Sequence, residues 1–107
     1  MAAFAIGWTT LSLASGFTPA SGQATPSYRV DGQGVVWLSG TIAFTSQTLS
    51  GQTLATLPAP LAPTDNLRFG NAGGGIVTVL SDGTIHGYTG TATTLMSLDG
   101  IQFLPAT

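Results

Sequence analysis

Apolar and polar side chains alternate with a period of two along much of this 107-residue chain, and this pattern restricts the chain to β-strands. In the run 34–44, Val36, Leu38, Ile42 and Phe44 fall on one face, with Gly40 between them. Further short strands are predicted at residues 8–13, 53–57, 75–80, 84–88 and 100–104, where β-branched and aromatic residues are enriched. No segment of ten or more residues has a capped helical periodicity, so we expect almost no helix.

Turn-forming residues separate the predicted strands. Asp-Gly dipeptides occur at 31–32, 82–83 and 99–100. Each predicts a tight turn, because glycine accepts a positive φ and the aspartate side chain bonds the backbone two residues on. The dipeptide at 82–83 lies between two predicted strands and indicates a hairpin. The segment 14–27 is predicted to be an ordered surface loop, and the proline-rich segment 58–63 is expected to adopt polyproline geometry outside any sheet ladder.

These short segments predict an all-β fold with seven or eight strands. A turn every 8 to 12 residues is typical of a small antiparallel β-sandwich or jelly roll. The length fits a single domain over residues 1–107, and the chain has neither an internal repeat nor a linker. The apolar N-terminus has no positive residue, which argues against a secretory signal, and no stretch reaches the ~18 apolar residues of a membrane span.

Only six side chains are charged, two arginines and four aspartates, and the net charge is −2. A folded chain of this size exposes roughly 5,500 Å², which leaves about one charge per 900 Å², far fewer than a soluble monomer carries. We therefore expect an obligate assembly. Nucleic-acid binding and polybasic membrane docking both need clustered Lys and Arg, so the composition argues against both. The absence of cysteine excludes disulfides and thiolate metal sites.

No catalytic, cofactor or metal site is predicted. His86 is the only histidine, and Ser81 and Asp82 near it suggest a comparison with a Ser-His-Asp triad. We favour a structural or surface histidine, because nothing here resembles a nucleophile elbow. Turn chemistry already explains the aspartates that precede glycine, and no D-x-D-x-D-G spacing indicates a calcium site. The protein is therefore expected not to be an enzyme.

Aromatic and cationic side chains are the candidate contacts for a ligand or partner. Trp8 and Tyr88 are able to stack on sugar rings, whereas Trp37, in the middle of the longest apolar strand, is expected in the core or a subunit contact. Arg29 and Arg68 are the only cations, and we expect each to pair with an aspartate within or between subunits. The candidate carbohydrate or partner contacts are Trp8, Arg68, His86 and Tyr88.

The order of motifs along the chain resembles a known family. The series runs W-x-x-L-x-L from Trp8, S-G-F at 15–17, P-x-Y-R-V at 26–30, G-V-V-W-L-x-G-T-I at 34–42, L-A-T-L-P at 54–58, L-R-F at 67–69, a V-x-V strand at 77–79, D-G-T-I at 82–85 and S-L-D-G-I-Q-F at 97–103. This series covers nearly the whole chain. It resembles the head domains at the C-terminal tips of tailed-bacteriophage fibres, and the closing S-L-D-G-I-Q-F is its most specific part.

The resemblance implies a β-sandwich head that trimerises about a three-fold axis, has no enzymatic activity and in many fibres contacts host-surface carbohydrate. Fibre heads normally follow a long shaft, whereas here Trp8 stands only a few residues after Met1. A free-standing head is expected to bind the virion through its own surface, with residues 1–7 as the candidate attachment arm. Where the family often has a glycine and aromatic-basic residues after the Leu-Pro step, this chain has A-P-L-A-P at 59–63.

Two functions remain open at this point. The first is a capsid decoration or cement protein, favoured by the low charge and the apolar N-terminus. The second is a receptor-binding adhesin tip of a tail fibre or baseplate that recognises a host glycan, favoured by the fibre-head resemblance. Both predict a homotrimer, made in the host cytoplasm and located on the virion surface, that contacts other virion proteins. Neither involves a cofactor, nucleic acid or insertion into a membrane.

Overall fold

A computed structural model describes residues 8–70 and 75–106. The candidate attachment arm, residues 1–7, lies outside the described residues. Within them the chain is built from antiparallel strands and a single 3-10 turn, which confirms the predicted all-β class. The strands are β1 (Thr9–Thr10), β2 (Ser12–Leu13), β3 (Phe17–Pro19), β4 (Ser27–Val30), β5 (Val36–Ser39), β6 (Thr41–Gln47), β7 (Ser50–Thr56), β8 (Leu67–Gly70), β9 (Ile76–Val79), β10 (Thr84–Tyr88), β11 (Thr93–Ser97) and β12 (Gln102–Phe103).

The strands are more numerous than the seven or eight predicted. Two alternating runs, 8–13 and 34–44, are divided where the chain changes sheets, and β3, β4, β8 and β11 lie outside the predicted strand segments. The predicted strand at 8–13 is divided at Leu11 into β1 and β2, which belong to different sheets. The segment 14–27 is not only a surface loop, since it contains β3, which pairs with β6 through Thr18 and Ala43. The loop-like composition of that segment concealed the strand.

Two layers of strands form the sandwich. In the first layer, β5 and β6 follow each other through Gly40; β4 and β3 pair with them on one side, and β12 and β11 on the other. The two hydrogen-bonded sheets of this layer, β1-β4-β5-β12 and β11-β6-β3, therefore form one bent surface. The second layer is the five-stranded sheet β2-β7-β10-β9-β8.

The core lies between these layers and contains the face predicted from the alternation. Val36, Leu38, Ile42 and Phe44 are all buried, as expected. Facing them from the second layer are the fully buried side chains of Leu54, Ala55, Val77, Val79 and Ile85. At one edge, the ring of Phe69 on β8 lies 6.5 Å from that of Phe103 on β12, so aromatic contacts also join the layers.

The first layer bends at Gly40. This glycine has a φ of +105°, and a Cβ built there would lie 2.5 Å from backbone atoms of Thr25 and Pro26, which cross directly over it. Its N–H donates to Asp99 Oδ1 at 2.7 Å, and the Ser39 hydroxyl donates to the same oxygen at 3.1 Å. The prediction that Asp99 bonds the backbone two residues on is therefore wrong. This carboxylate instead connects the turn before β12 to the bend.

The other turns agree more closely with the sequence pattern. The predicted hairpin joins β9 to β10: Gly83 has a φ of +92° and the Thr84 N–H donates to Asp82 Oδ1 at 3.0 Å. In the turn after β4, the glycine with a positive φ is Gly34 rather than Gly32, so this turn is longer than predicted.

The proline-rich segment stays outside the sheets, as predicted, but is not extended throughout. Ala59–Leu61 forms a 3-10 turn. The flanking residues Pro58 (φ −56°, ψ 141°) and Ala62 (φ −67°, ψ 142°) have polyproline-like angles. Polyproline geometry is therefore confined to the two ends of the turn.

Candidate functional site

The outer face of the five-stranded sheet brings together three of the four predicted contact residues. The antiparallel register places Arg68 of β8 and His86 of β10 on either side of Thr78 of β9. Tyr88 follows His86 by two residues and lies on the same face. These side chains point outward because successive residues of a strand alternate between faces, and their neighbours, such as Ile85, are buried in the core.

A shallow groove of about 330 Å³ runs along this face and is lined by Asn66, Arg68, Thr78, Leu80 and Tyr88. We call it the Arg68 groove. Its volume lies at the lower end of the range of small-molecule sites, about 300 to 1,000 Å³. The groove combines a guanidinium, an amide, a hydroxyl and an aromatic ring, which are groups that orient a small polar ligand.

The polar end of the groove is organised by Asn66. Its Oδ1 accepts a hydrogen bond of 2.9 Å from the backbone N–H of Ser81. Because the amide oxygen is engaged in this way, the NH2 group is the part of the side chain that is left to donate to a ligand. Arg68 is exposed on β8.

Tyr88 forms the other end of the groove and is 41% exposed. Its ring lies against Gly51 on the adjacent strand β7, where a Cβ would come within 3.1 Å of the Tyr88 hydroxyl. Gly51 also has a φ of +107°, so both space and backbone conformation favour glycine at this position. The missing side chain gives the tyrosine ring its place beside the groove.

His86 lies on the same outer face, but its half-buried ring is hydrogen-bonded to neighbouring residues of the sheet. Its Nδ1 is 2.8 Å from the carbonyl oxygen of Gly51, to which only a protonated nitrogen can bond. Its Nε2 is 3.0 Å from Thr84 Oγ1 and 3.4 Å from Thr53 Oγ1. Both nitrogens of the half-buried ring therefore have partners within the domain, which favours the structural interpretation of His86.

The residues around His86 do not have the order of a catalytic triad. The Thr84 hydroxyl donates to Asp82 Oδ1 at 2.6 Å and so lies between the carboxylate and the imidazole. In a Ser-His-Asp triad the imidazole lies between the carboxylate and the nucleophile. The backbone N–H of Ser81 donates away from His86, to Asn66.

Trp8, the fourth predicted contact residue, lies on the opposite layer. The Arg29 guanidinium carbon is 5.2 Å from the centre of the Trp8 ring and 5.3 Å from that of Trp37. Both distances fall within the range of cation–π attraction. Arg29 thus contacts two aromatic rings within its own domain, and the pairing with an aspartate between subunits stays a prediction. We call Trp8, Arg29 and Trp37 the tryptophan cluster.

Trp37 is not in the core, which excludes one of the two positions predicted for it; the other, a subunit contact, stays a prediction. Val36 and Leu38 on either side of it point inward, so Trp37 lies half-buried on the outer face of β5. Its indole N–H donates to Asp31 Oδ2 at 2.8 Å. This bond, with backbone N–H donors from Gln33 and Val35, holds the pKa of Asp31 below its ordinary value; the Arg29 charge has a smaller effect.

Three lining residues of the groove, Asn66, Thr78 and Leu80, were not among the predicted contacts. The Val-Thr-Val pattern at 77–79 indicates that Thr78 faces away from the core, so alternation was a usable signal for it. Asn66 has no such signal, because its position depends on the turn before β8 meeting the start of the β9–β10 hairpin.

In the ranges 8–70 and 75–106, no group of three His or Asp side chains is placed to hold a metal ion. No helix in this part of the chain has the length and apolar character to cross a membrane. Comparisons of the chain with protein-family models, with curated proteins and with solved structures found no match.

Replacing Trp37 by alanine tests its position outside the core. We expect the Trp37→Ala variant to lose about 1 to 2 kcal/mol of unfolding free energy, since only part of the ring is buried. A core tryptophan would cost about 3 to 5 kcal/mol. Trp37→Phe, which keeps an aromatic face for Arg29 but removes the indole N–H, should cost less than Trp37→Ala. Urea titrations give the unfolding free energies of the parent and the two variants. A loss of about 3 to 5 kcal/mol in Trp37→Ala would contradict the position of Trp37 outside the core.

The hydrogen-bonded aspartates predict a loss of stability in acid. A bond from the Thr84 hydroxyl, followed by the Thr84 backbone N–H, lowers the pKa of Asp82, and similar bonds lower that of Asp31. A carboxylate with a depressed pKa stabilises the fold above its unfolded pKa, and that contribution is lost as pH falls through the folded pKa. The melting temperature should therefore decrease as the pH is lowered below about 4. A double variant, Asp31→Asn with Asp82→Asn, should have a flatter profile; an equally steep one would contradict this cause.

Proposed function

We propose that the protein is a non-enzymatic structural protein of a bacteriophage particle, a homotrimeric β-sandwich of the capsid decoration or cement type on the particle surface. The virion part of this proposal rests on the resemblance of the motif series to fibre heads, and the observation that carries the assembly is the low surface charge. Six charged side chains are spread over 5549 Å² of accessible surface, about one per 900 Å². Such a surface is suited to being covered by sister subunits and neighbouring proteins rather than to free solution.

Exposed apolar side chains support the same proposal. Leu104 is 66% exposed, Trp8 and Leu95 are each 48% exposed, and Val30 is 37% exposed. Single exposed apolar residues are common on monomers, but this chain has only six charged residues to keep such a surface in water. Burial in a trimer or against a capsid would remove these side chains from water.

The copy number of the protein in purified particles tests its place in the virion. A decoration protein should be present in hundreds of copies per particle by quantitative gel densitometry. A handful of copies would exclude the decoration role. Light scattering on the isolated protein tests the assembly separately: the mass of three chains is expected, and a stable monomer would contradict the trimer.

The Arg68 groove favours a second candidate function, that of a receptor-binding adhesin tip of a tail fibre or baseplate. A concave polar surface with an aromatic ring is a common arrangement for binding sugars. In this case the isolated protein at saturation should compete with phage for adsorption to host cells. Full adsorption in its presence would argue against an adhesin and leave the decoration role in place.

A further inference from the structure

We propose that the Arg68 groove is a binding site for an acidic sugar, a pyranose ring that bears a carboxylate, with Arg68 as the carboxylate-binding residue and Tyr88 as the stacking surface. This rests on the second candidate function and names the class of its ligand. All the lining residues of the groove come from one chain. Titrations of the isolated protein therefore test sugar binding independently of adsorption to host cells.

Within residues 8–70 and 75–106, Arg68 forms no ion pair with an aspartate, although the exposed Asp65 precedes it by three residues. Three of the four aspartates already accept hydrogen bonds from their own domain: Asp31 from Trp37, Asp82 from Thr84 and Asp99 from Gly40. The other arginine, Arg29, lies against the two rings of the tryptophan cluster on the opposite layer. Arg68, by contrast, is an exposed residue in the wall of a groove. A guanidinium presents two parallel N–H donors, which match the two oxygens of a carboxylate.

Tyr88 supplies the apolar surface that a sugar ring requires. Arg68 and Tyr88 belong to β8 and β10, which flank β9. Neighbouring strands are about 4.8 Å apart, so β8 and β10 are separated by roughly 10 Å across the sheet. His86 is the residue opposite Arg68, so Tyr88 is displaced from Arg68 by two further residues along the strand and lies on the diagonal. That gap, bridged by two long side chains, accommodates a single pyranose ring. Contact with Gly51 places the tyrosine ring beside the groove.

Hydroxyl groups of the sugar have partners along the floor and the polar end of the groove. Thr78 lies between Arg68 and His86 on the outer face and is 7% exposed. The Asn66 amide, oriented by its bond to the Ser81 N–H, presents its NH2 group. Together with Arg68 these groups donate to acceptor oxygens, so a carboxylate-bearing sugar should be preferred to its neutral analogue.

The experiment compares methyl β-glucuronide with methyl β-glucoside, two sugars that differ at the carboxylate position, by isothermal titration and by chemical-shift changes on the isolated protein. We expect the glucuronide to bind at least about tenfold more tightly, the value of one charge-assisted contact. Arg68→Gln should remove this preference. Arg29→Gln is the matched control, since it deletes the other arginine on the opposite layer, and it should leave the preference intact.

The aromatic contribution is tested at Tyr88. Tyr88→Ala should weaken both glycosides several-fold, whereas Tyr88→Phe, which keeps the ring, should bind nearly as well as the parent. Thermal melts establish that each variant is folded. Four outcomes would each overturn the proposal. Two concern selectivity: equal affinity for the two sugars, or acetate binding as tightly as the glucuronide. The others are an equal loss in the two arginine variants and no binding at about 50 mM glycoside, well above the millimolar range. None of these outcomes would decide the copy number of the protein in a particle.

Discussion

Replacing Gly40 by alanine is expected to destabilise the fold by about 2 to 5 kcal/mol, the sum of two unfavourable terms. The first is backbone strain: Gly40 has a φ of +105°, where a residue with a Cβ costs about 1 to 2 kcal/mol. The second is steric. The new Cβ would lie 2.5 Å from backbone atoms of Thr25 and Pro26. Unlike a flexible side chain, this backbone cannot move aside without disturbing the layer, and overpacking of this kind costs about 1 to 3 kcal/mol.

A loss of this size is large beside the roughly 5 to 15 kcal/mol that stabilises a typical domain. The melting temperature should fall by about 8 °C or more. Gly16→Ala is the matched control, because Gly16 has a φ of +91° but no atom within 4 Å of the position that a Cβ would take. It should show the strain alone, about 1 to 2 kcal/mol. Equal losses in the two variants would show that the chain does not cross closely over Gly40.

The second large effect is expected at Leu38, in the centre of the first layer. Its side chain is 1% exposed and belongs to the core cluster between the layers. Leu38→Ala removes this packing and leaves a cavity, and such substitutions cost about 2 to 5 kcal/mol. Urea unfolding should show a lower midpoint with an unchanged slope.

Two comparisons make the Leu38 result specific. Leu104→Ala makes the same chemical change at a side chain that is 66% exposed, and it should alter stability by less than about 0.5 kcal/mol. The neighbouring Trp37→Ala variant, on the opposite face of β5, should fall between the two leucine variants. A loss below about 1 kcal/mol in Leu38→Ala would contradict the two-layer core.

Part of the candidate site was predictable from residue type, but neither Asn66 nor the groove as a surface was. Residue type alone singles out Arg68, His86 and Tyr88, yet nothing local shows that β8 pairs with β9 and β9 with β10. Those pairings place Arg68 and His86 on either side of Thr78. Trp8 meets the same criteria and lies on the other layer, where Arg29 contacts it. Residue type therefore identifies candidates, while strand order decides which of them share a groove.

Trp37 shows where alternation alone is insufficient. Both faces of its strand carry apolar residues, so the pattern allowed Trp37 to be internal. In the structure Val36 and Leu38 point inward. The Trp37 indole lies on the outer face, where it contacts Arg29 and donates to Asp31. A large aromatic residue with an N–H donor is stable at such a surface because its ring and its donor are both satisfied there.

The sequence by itself determined the all-β class, the inward face of residues 36–44 and the hairpin at Asp82-Gly83. These features depend on side-chain alternation and turn chemistry, which act over a few neighbouring residues. Only the tertiary structure decided that Gly40 bends the chain, that Asp99 bonds the bend across 59 residues and that the Arg68 groove exists. Each of these depends on strands that are distant in sequence and meet in one register, and local patterns do not specify which strands meet.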